Sequence, residues 1–163
     1  MKRIFIDQDG VLADFDKATE GNLDNMYTMK FFAKLEPLEK DLNDIVRKLQ
    51  QMNYEVHILT KLPVVRNHHR FVDMMIDKVT WLERYIPAVD ELNIHVLPCN
   101  QDKSDILKFY EDKENCILID DYTPNLTSWI KAGGKGIKKA KRLKDTRVIA
   151  QILSLNELIK EEC

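Results

Sequence analysis

The chain has 163 residues, 44% hydrophobic and 32% charged, with a net charge of -2. This size suits one soluble domain with a real core, and the charge gives no global reason to expect a nucleic acid polymer or an anionic membrane as partner. Three widely spaced cysteines (Cys99, Cys116, Cys163) argue against a disulfide framework or a CxxC metal site, and the apolar runs are too short for a signal peptide or a membrane span, so a reducing cytoplasm is the expected location.

Along the chain, Ile4-Phe5-Ile6 predicts a short strand buried on both faces. Residues 13–37 are mixed, with Met26, Tyr27, Met29 and Phe31-Phe32, and read as an irregular insert. Leu38, Leu42, Ile45, Val46, Leu49 and Met52 recur at helical spacing, and Asn53 closes that helix. Residues 54–59 read as a second strand, followed by a loop with Pro63. Phe71, Met74, Met75, Leu82 and Tyr85 predict a long helix that stops before Pro87. Residues 94–97 form a third strand, and a short helix with Ile106, Leu107 and Tyr110 leads to a fourth at 116–119. Leu126, Trp129 and Ile130 mark a helix closed by Gly133-Gly134, because glycine takes the left-handed backbone a helix exit needs. After a weak strand at 136–140, Val148, Ile149, Ile152, Leu153, Leu155 and Ile159 predict a terminal amphipathic helix. Regular alternation of strand and helix predicts an α/β fold over residues 1–163 as one domain, a Rossmann-like three-layer sandwich with a central parallel sheet.

Open parallel sheets bind ligands at the carboxyl ends of their strands. The residues there are Asp7 and Asp9 after the first strand and Thr60 then Lys61 after the second. Beyond the third come Asp102-Lys103-Ser104, and after the fourth Asp120-Asp121. Several carboxylates at one rim repel each other unless a cation sits among them, and all-oxygen ligation favours Mg2+, which couples carboxylates to phosphate. With a hydroxyl and an ammonium beside them, an anionic phosphoryl group is the natural guest. No histidine or cysteine is placed as nucleophile, which leaves a carboxylate and an aspartyl-phosphate route. Asp7 is read as the nucleophile. Asp9 is read as the acid/base that protonates the leaving oxygen and then deprotonates water. Gly10 allows a sharp turn after them.

Each residue also has a plainer reading. Asp7-x-Asp9 could be a capping loop or a glycosyltransferase-type metal motif, Thr60 an ordinary strand end, and Lys103 a solvated lysine. Asp120 or Asp121 could cap the helix at Pro124. The convergence of all of them on one rim favours the site. His68-His69 are adjacent and do not share a helix face; His57 and His95 lie in strands. Gly133-Gly134-x-Gly136 follows a helix and is no phosphate-loop fingerprint. The basic run Lys135, Lys138, Lys139, Lys141, Arg142, Lys144 and Arg147 reads as a solvated face.

The stretches "IFIDQDGVLADF", "VHILT", "DKSDI" and "CILIDDYTPN" resemble the four motifs of the haloacid dehalogenase superfamily of phosphatases. Within it, "DGVLADF", "FFAKLEPL", "WLERYI" and "IDD" are similar to the 5'(3')-deoxyribonucleotidases. The resemblance implies that Asp7 is nucleophile and metal ligand and that Asp9 is acid/base and offers its backbone carbonyl to the metal. It implies that Thr60 and Lys103 hold phosphoryl oxygens and that Asp121 ligates the metal. Asp120 then binds through water or positions the lysine, with Asn125 at an outer supporting position. It also implies a helical cap after the first motif, here reduced to residues 13–37. Lys61 stands where the family often has a small hydroxyl residue, and it and Phe15 are candidate substrate contacts. Phe15, Phe31 and Phe32 are candidates to stack on a base, with packing in the small cap or the core as the alternative.

The expected function is a magnesium-dependent phosphomonoesterase for (deoxy)nucleoside monophosphates, alone or as an oligomer. One alternative is a phosphatase for another small phosphoester. The other is a non-catalytic, receiver-like phosphate-binding regulatory module. A receiver, however, carries its acidic pair after the first strand and its phosphorylated aspartate after the third, and has no need of Asp9.

Overall fold

The computed structural model describes residues 1–142 and 149–160. Six strands form one parallel sheet: β1 (Lys2–Ile6), β2 (Tyr54–Lys61), β3 (Ile94–Leu97), β4 (Cys116–Asp120), β5 (Lys135–Lys139) and β6 (Ala150–Ile152), in the order β3-β2-β1-β4-β5-β6. The α-helices are α1 (Phe15–Thr19), α2 (Leu42–Gln51), α3 (His68–Tyr85) and α4 (Thr123–Lys131).

Alternation along β1 divides its side chains between two layers. Ile4 and Ile6 enter an apolar cluster with Val56, Ile58 and Ile119 under α2 and α3. Phe5 points the other way, to Leu59, Leu118, Leu126 and Trp129. Burial on both faces is why the first and fourth strands read as continuous apolar runs. From β1 the chain builds β2 and β3 to one side, then crosses to β4 on the other. The strand order thus reverses between β1 and β4, the switch point at which open α/β sheets bind ligands.

Three elements differ from expectation. The terminal amphipathic helix is instead β6, paired with β5 (Ile137 opposite Ala150), followed by a 3-10 turn over Leu155–Ile159. Ser154 and Glu157 cap that turn reciprocally, so the chain leaves the strand at once. Ile152 and Leu155 are buried, and a three-residue strand plus a turn satisfies the same apolar spacing as a helix. Val148 lies outside the described residues, as do Lys144, Arg147 and Cys163. Secondly, α2 begins only at Leu42; Leu38 lies before it, and its N–H donates to Leu12 O at 2.8 Å. Thirdly, the short helix at 103–109 is 3-10 throughout.

The insert at 13–37 is stitched at its base. Ala13 bridges Pro37, the Asp14 N–H donates to Glu36 O at 2.8 Å, and the Trp81 indole of α3 donates to Leu35 O at 2.7 Å. Phe32 and Leu35 are buried in the core, whereas Leu23 and Met29 further out are exposed. "FFAKLEPL" and "WLERYI" are thus two sides of one packing contact. Among the described residues no helix is long and apolar enough to cross a membrane.

Candidate active site

The chain leaves β1 at Asp7, whose N–H still donates to Ile119 O of β4 at 2.9 Å. That bond holds the end of β1 level with the end of β4. Lys103, 1% exposed, inserts its ammonium between the two strand ends, 2.7 Å from Asp7 Oδ1 and 2.7 Å from Asp120 Oδ2. Asp102 caps the turn that aims it, accepting from the Ser104 N–H at 2.8 Å and the Ser128 hydroxyl at 2.9 Å. Asp120 is fully occupied: Oδ1 accepts the Tyr122 N–H at 2.8 Å, and Oδ2 accepts Asn125 Nδ2 at 2.9 Å as well as Lys103. Asp120 and Asn125 therefore form the bracket behind Lys103.

Asp121 sits against Gly10. A Cβ on Gly10 would lie 2.2 Å from Asp121 Oδ2, and Gly10 has φ +79°. The glycine makes the turn and also leaves the space that the carboxylate fills. Gly10→Ala is expected to displace Asp121 and weaken Mg2+ binding by about 10- to 100-fold, read by titrating Mg2+ against the melting temperature. Gly21→Ala is the control: φ there is +77°, but an added Cβ meets nothing within 4 Å.

Carboxylate oxygens of Asp7, Asp120 and Asp121 all lie within 4.8 Å of one another. Burial, above all, pushes the Asp7 carboxyl up to about 8; Lys103 opposes this, while Asp120, Asp9 and Asp121 add to it. Burial followed by Asp120 pushes Asp121 up to about 6. Burial works against the Lys103 ammonium, but Asp7 and Asp120 outweigh it and hold its pKa above the usual lysine value. Four carboxylates against two buried ammoniums (Lys103, and Lys78 described below) leave an excess that one divalent cation balances. The donors are all oxygens, so the residues fit Mg2+.

Acid groups raised above their unfolded pKa make the fold bind extra protons. Their stabilising contribution is complete below the ordinary carboxylate value of 3.8 and is lost as pH rises towards 8 for Asp7 and 6 for Asp121. The melting temperature of the metal-free protein is therefore expected to fall between about pH 5 and pH 8, with Mg2+ raising it more at pH 8. A metal-induced shift that is flat with pH contradicts this.

Asp9 turns to a residue that sequence reasoning missed. Lys78 of α3 is 0% exposed and pairs with Asp9 Oδ2 at 2.5 Å and with Thr60 Oγ1 at 2.9 Å. Its signal was its place on the apolar stripe of α3, four residues after Met74 and four before Leu82. A lysine on a buried face needs a partner. Asp9 Oδ1 is buried and has no hydrogen-bond partner among the described residues.

The aromatic candidates are placed differently. Phe31 and Phe32 are buried and pack edge to face at 5.2 Å, so they have no free face for a base; only Phe15, in contact with both, keeps partial exposure. Lys61 ends β2 beside Thr60, half-buried. His57 and His95 stack in the sheet and hydrogen-bond to each other at 3.1 Å, away from the strand ends. A groove of about 770 Å3 opens beside Gly10 and Asp121, bordered by Asp14, Asp16, Thr123, Lys138 and Lys139. That is an ordinary size for a small-molecule site.

The six-stranded parallel sheet with helices on both faces is a Rossmann-like α/β fold that solved haloacid dehalogenase-type hydrolases share. No family model matches the chain, and no curated protein does. Among solved structures it is similar to a D,D-heptose 1,7-bisphosphate phosphatase from Burkholderia thailandensis. That match has a TM-score of 0.64 at 14% identity and covers 99% of this chain and 97% of that one. The corresponding enzyme from B. bronchiseptica, complexed with magnesium and phosphate, gives 0.66 at 16% identity over 99% and 97%. A haloacid dehalogenase-type hydrolase of family IA, variant 3, from Entamoeba histolytica gives 0.65 at 16% identity over 99% and 97%.

Proposed function

We propose that this chain is a magnesium-dependent phosphomonoesterase that works through an aspartyl phosphate, with (deoxy)nucleoside monophosphates as substrates. The observation that carries the chemistry is the separation of the two carboxylates after β1. Asp7 faces Lys103 and the Asp120-Asp121 pair, while Asp9, two residues on, is held by a different lysine. One carboxylate is thereby set in the metal and phosphate corner and the other outside it.

Asp7, Asp121 and the Asp9 backbone carbonyl would hold the metal, which would supply charge neutralisation for the phosphoryl oxygens and favour the ionised Asp7. Thr60 and Lys103 hold the phosphoryl group. An Asp7 oxygen attacks phosphorus, the bond to the leaving oxygen breaks, and Asp9 gives that oxygen its proton. A water then attacks the same phosphorus as Asp9 takes its proton, releasing inorganic phosphate and restoring Asp7. Asp120 and Asn125 keep Lys103 in place.

The nucleotide assignment rests on the sequence resemblance around the insert, with Phe15 and Lys61 as candidate contacts; neither of them lines the groove beside Asp121. Lys138 and Lys139 on the groove wall favour a second reading, a small phosphoester with a further anionic group. A phosphate-release screen over 5'- and 3'-nucleotides, sugar phosphates and sugar bisphosphates with Mg2+ tests both. Preference for nucleotides supports the first reading and preference for bisphosphates the second. Uptake of a single phosphoryl group without turnover makes the chain a receiver-like module and overturns both.

A further inference from the structure

We propose that Lys78 is a positioning residue for both steps of the reaction, orienting Asp9 as proton carrier and Thr60 as a donor to phosphate. The inference rests on the phosphatase reading above and assigns work to a residue that lies in none of the four motifs.

Lys78 comes from the middle of α3, far along the chain from both partners, and is completely buried. An ammonium has three hydrogens to place. Here Asp9 Oδ2 lies at 2.5 Å and Thr60 Oγ1 at 2.9 Å, and the Phe32 ring covers the remaining side with its centroid at 4.4 Å. A second link fixes the backbone, since Gln8 Nε2, between the two aspartates, donates to Lys78 O at 3.3 Å.

Two consequences follow from hydrogen-bond polarity. A hydroxyl that accepts from an ammonium must direct its own hydrogen elsewhere, so Thr60 is committed as a donor, the role a phosphoryl oxygen requires. Asp9 has one oxygen tied by Lys78 and the other, Oδ1, buried without a partner among the described residues. The free oxygen is the one that carries the proton. The lysine also holds this carboxylate apart from Lys103, so the two acids do not compete for one cation. Phe32 belongs to the insert, so the same contact ties the insert to the catalytic rim.

The test compares Lys78→Met, Asp9→Asn and the double variant on two substrates with Mg2+: p-nitrophenyl phosphate, whose leaving group needs no proton, and a simple alkyl phosphate, whose leaving group does. Lys78→Met is expected to lower the first-turnover rate of leaving-group release by about 100-fold or more on the alkyl ester and by under about 10-fold on the nitrophenyl ester, while steady-state kcat, which includes the shared second step, falls on both. The double variant should be no slower than Asp9→Asn, because the two residues act as one unit. The double variant also removes both charges of the buried pair, so it reads the coupling even if the single lysine variant folds poorly. Equal losses of the first-turnover rate on both substrates, or additive losses of it in the double variant, mean a merely structural role and overturn the inference while the phosphatase reading stands. A wild-type chain that releases no phosphate from either ester overturns both.

Discussion

Asp7→Asn is expected to abolish magnesium-dependent phosphate release, by at least about 10⁴-fold, with the fold intact. The amide is isosteric but cannot attack phosphorus, and no other side chain at the rim replaces it. Asp9 is held by Lys78, Asp120 has both oxygens engaged, and Asp121 lies against Gly10. The same change removes the buried charge whose burial, with the neighbouring acids adding to it, pushes the Asp7 carboxyl up to about 8. In the absence of metal at about pH 8, Asp7→Asn should therefore melt no lower than wild type, while losing most of the Mg2+-induced gain. Loss of activity with a higher metal-free melting temperature separates a chemical role from a structural one. Thermal melts with and without Mg2+, beside a turnover assay, give both readouts.

The second large effect is on stability. Lys103→Met leaves Asp7 and Asp120 facing each other, buried and without the ammonium that lies 2.7 Å from each. Removing one member of a buried charge network costs about 3–5 kcal/mol. The remaining acids would have still higher folded-state pKa values, so the loss should be small at low pH and grow as pH rises. Mg2+ should restore part of it by occupying the same charge deficit. Urea denaturation at about pH 5 and pH 8, with and without Mg2+, reads these trends; a loss that does not depend on pH would mean that Lys103 contributes by packing alone.

The strands that carry the site were legible because burial on both faces writes itself as an unbroken apolar run. Ile4 to Ile6 and Cys116 to Ile119 are such runs, and polar residues at their ends mark the rim. What the pattern left open depended on tertiary partners. Ile149, Ile152 and Leu153 fit a helix as well as a short strand, and only the free edge of β5 decides between them. Phe31 and Phe32 look like a binding platform until α3 is packed on them. Lys78 was hidden by the rule that a lysine in a helix faces water; its place on the apolar stripe was visible, but its acceptors come from β1 and β2, remote in sequence. Asp120 and Asp121 were legible as a pair, but their different tasks follow from Tyr122, Asn125 and Gly10, which meet them only in the fold.

The central claim is that phosphorus becomes bonded to Asp7. The Asp9→Asn variant keeps the nucleophile but lacks the base that activates water, so the covalent species should accumulate. The measurement is mass spectrometry of this variant after mixing with p-nitrophenyl phosphate and Mg2+, with peptide mapping of the adduct. One phosphoryl group on the peptide that contains Asp7, absent from the variant that also carries Asp7→Asn, is the predicted result. A phosphoryl group on another residue, or wild-type turnover that survives Asp7→Asn, would contradict the account.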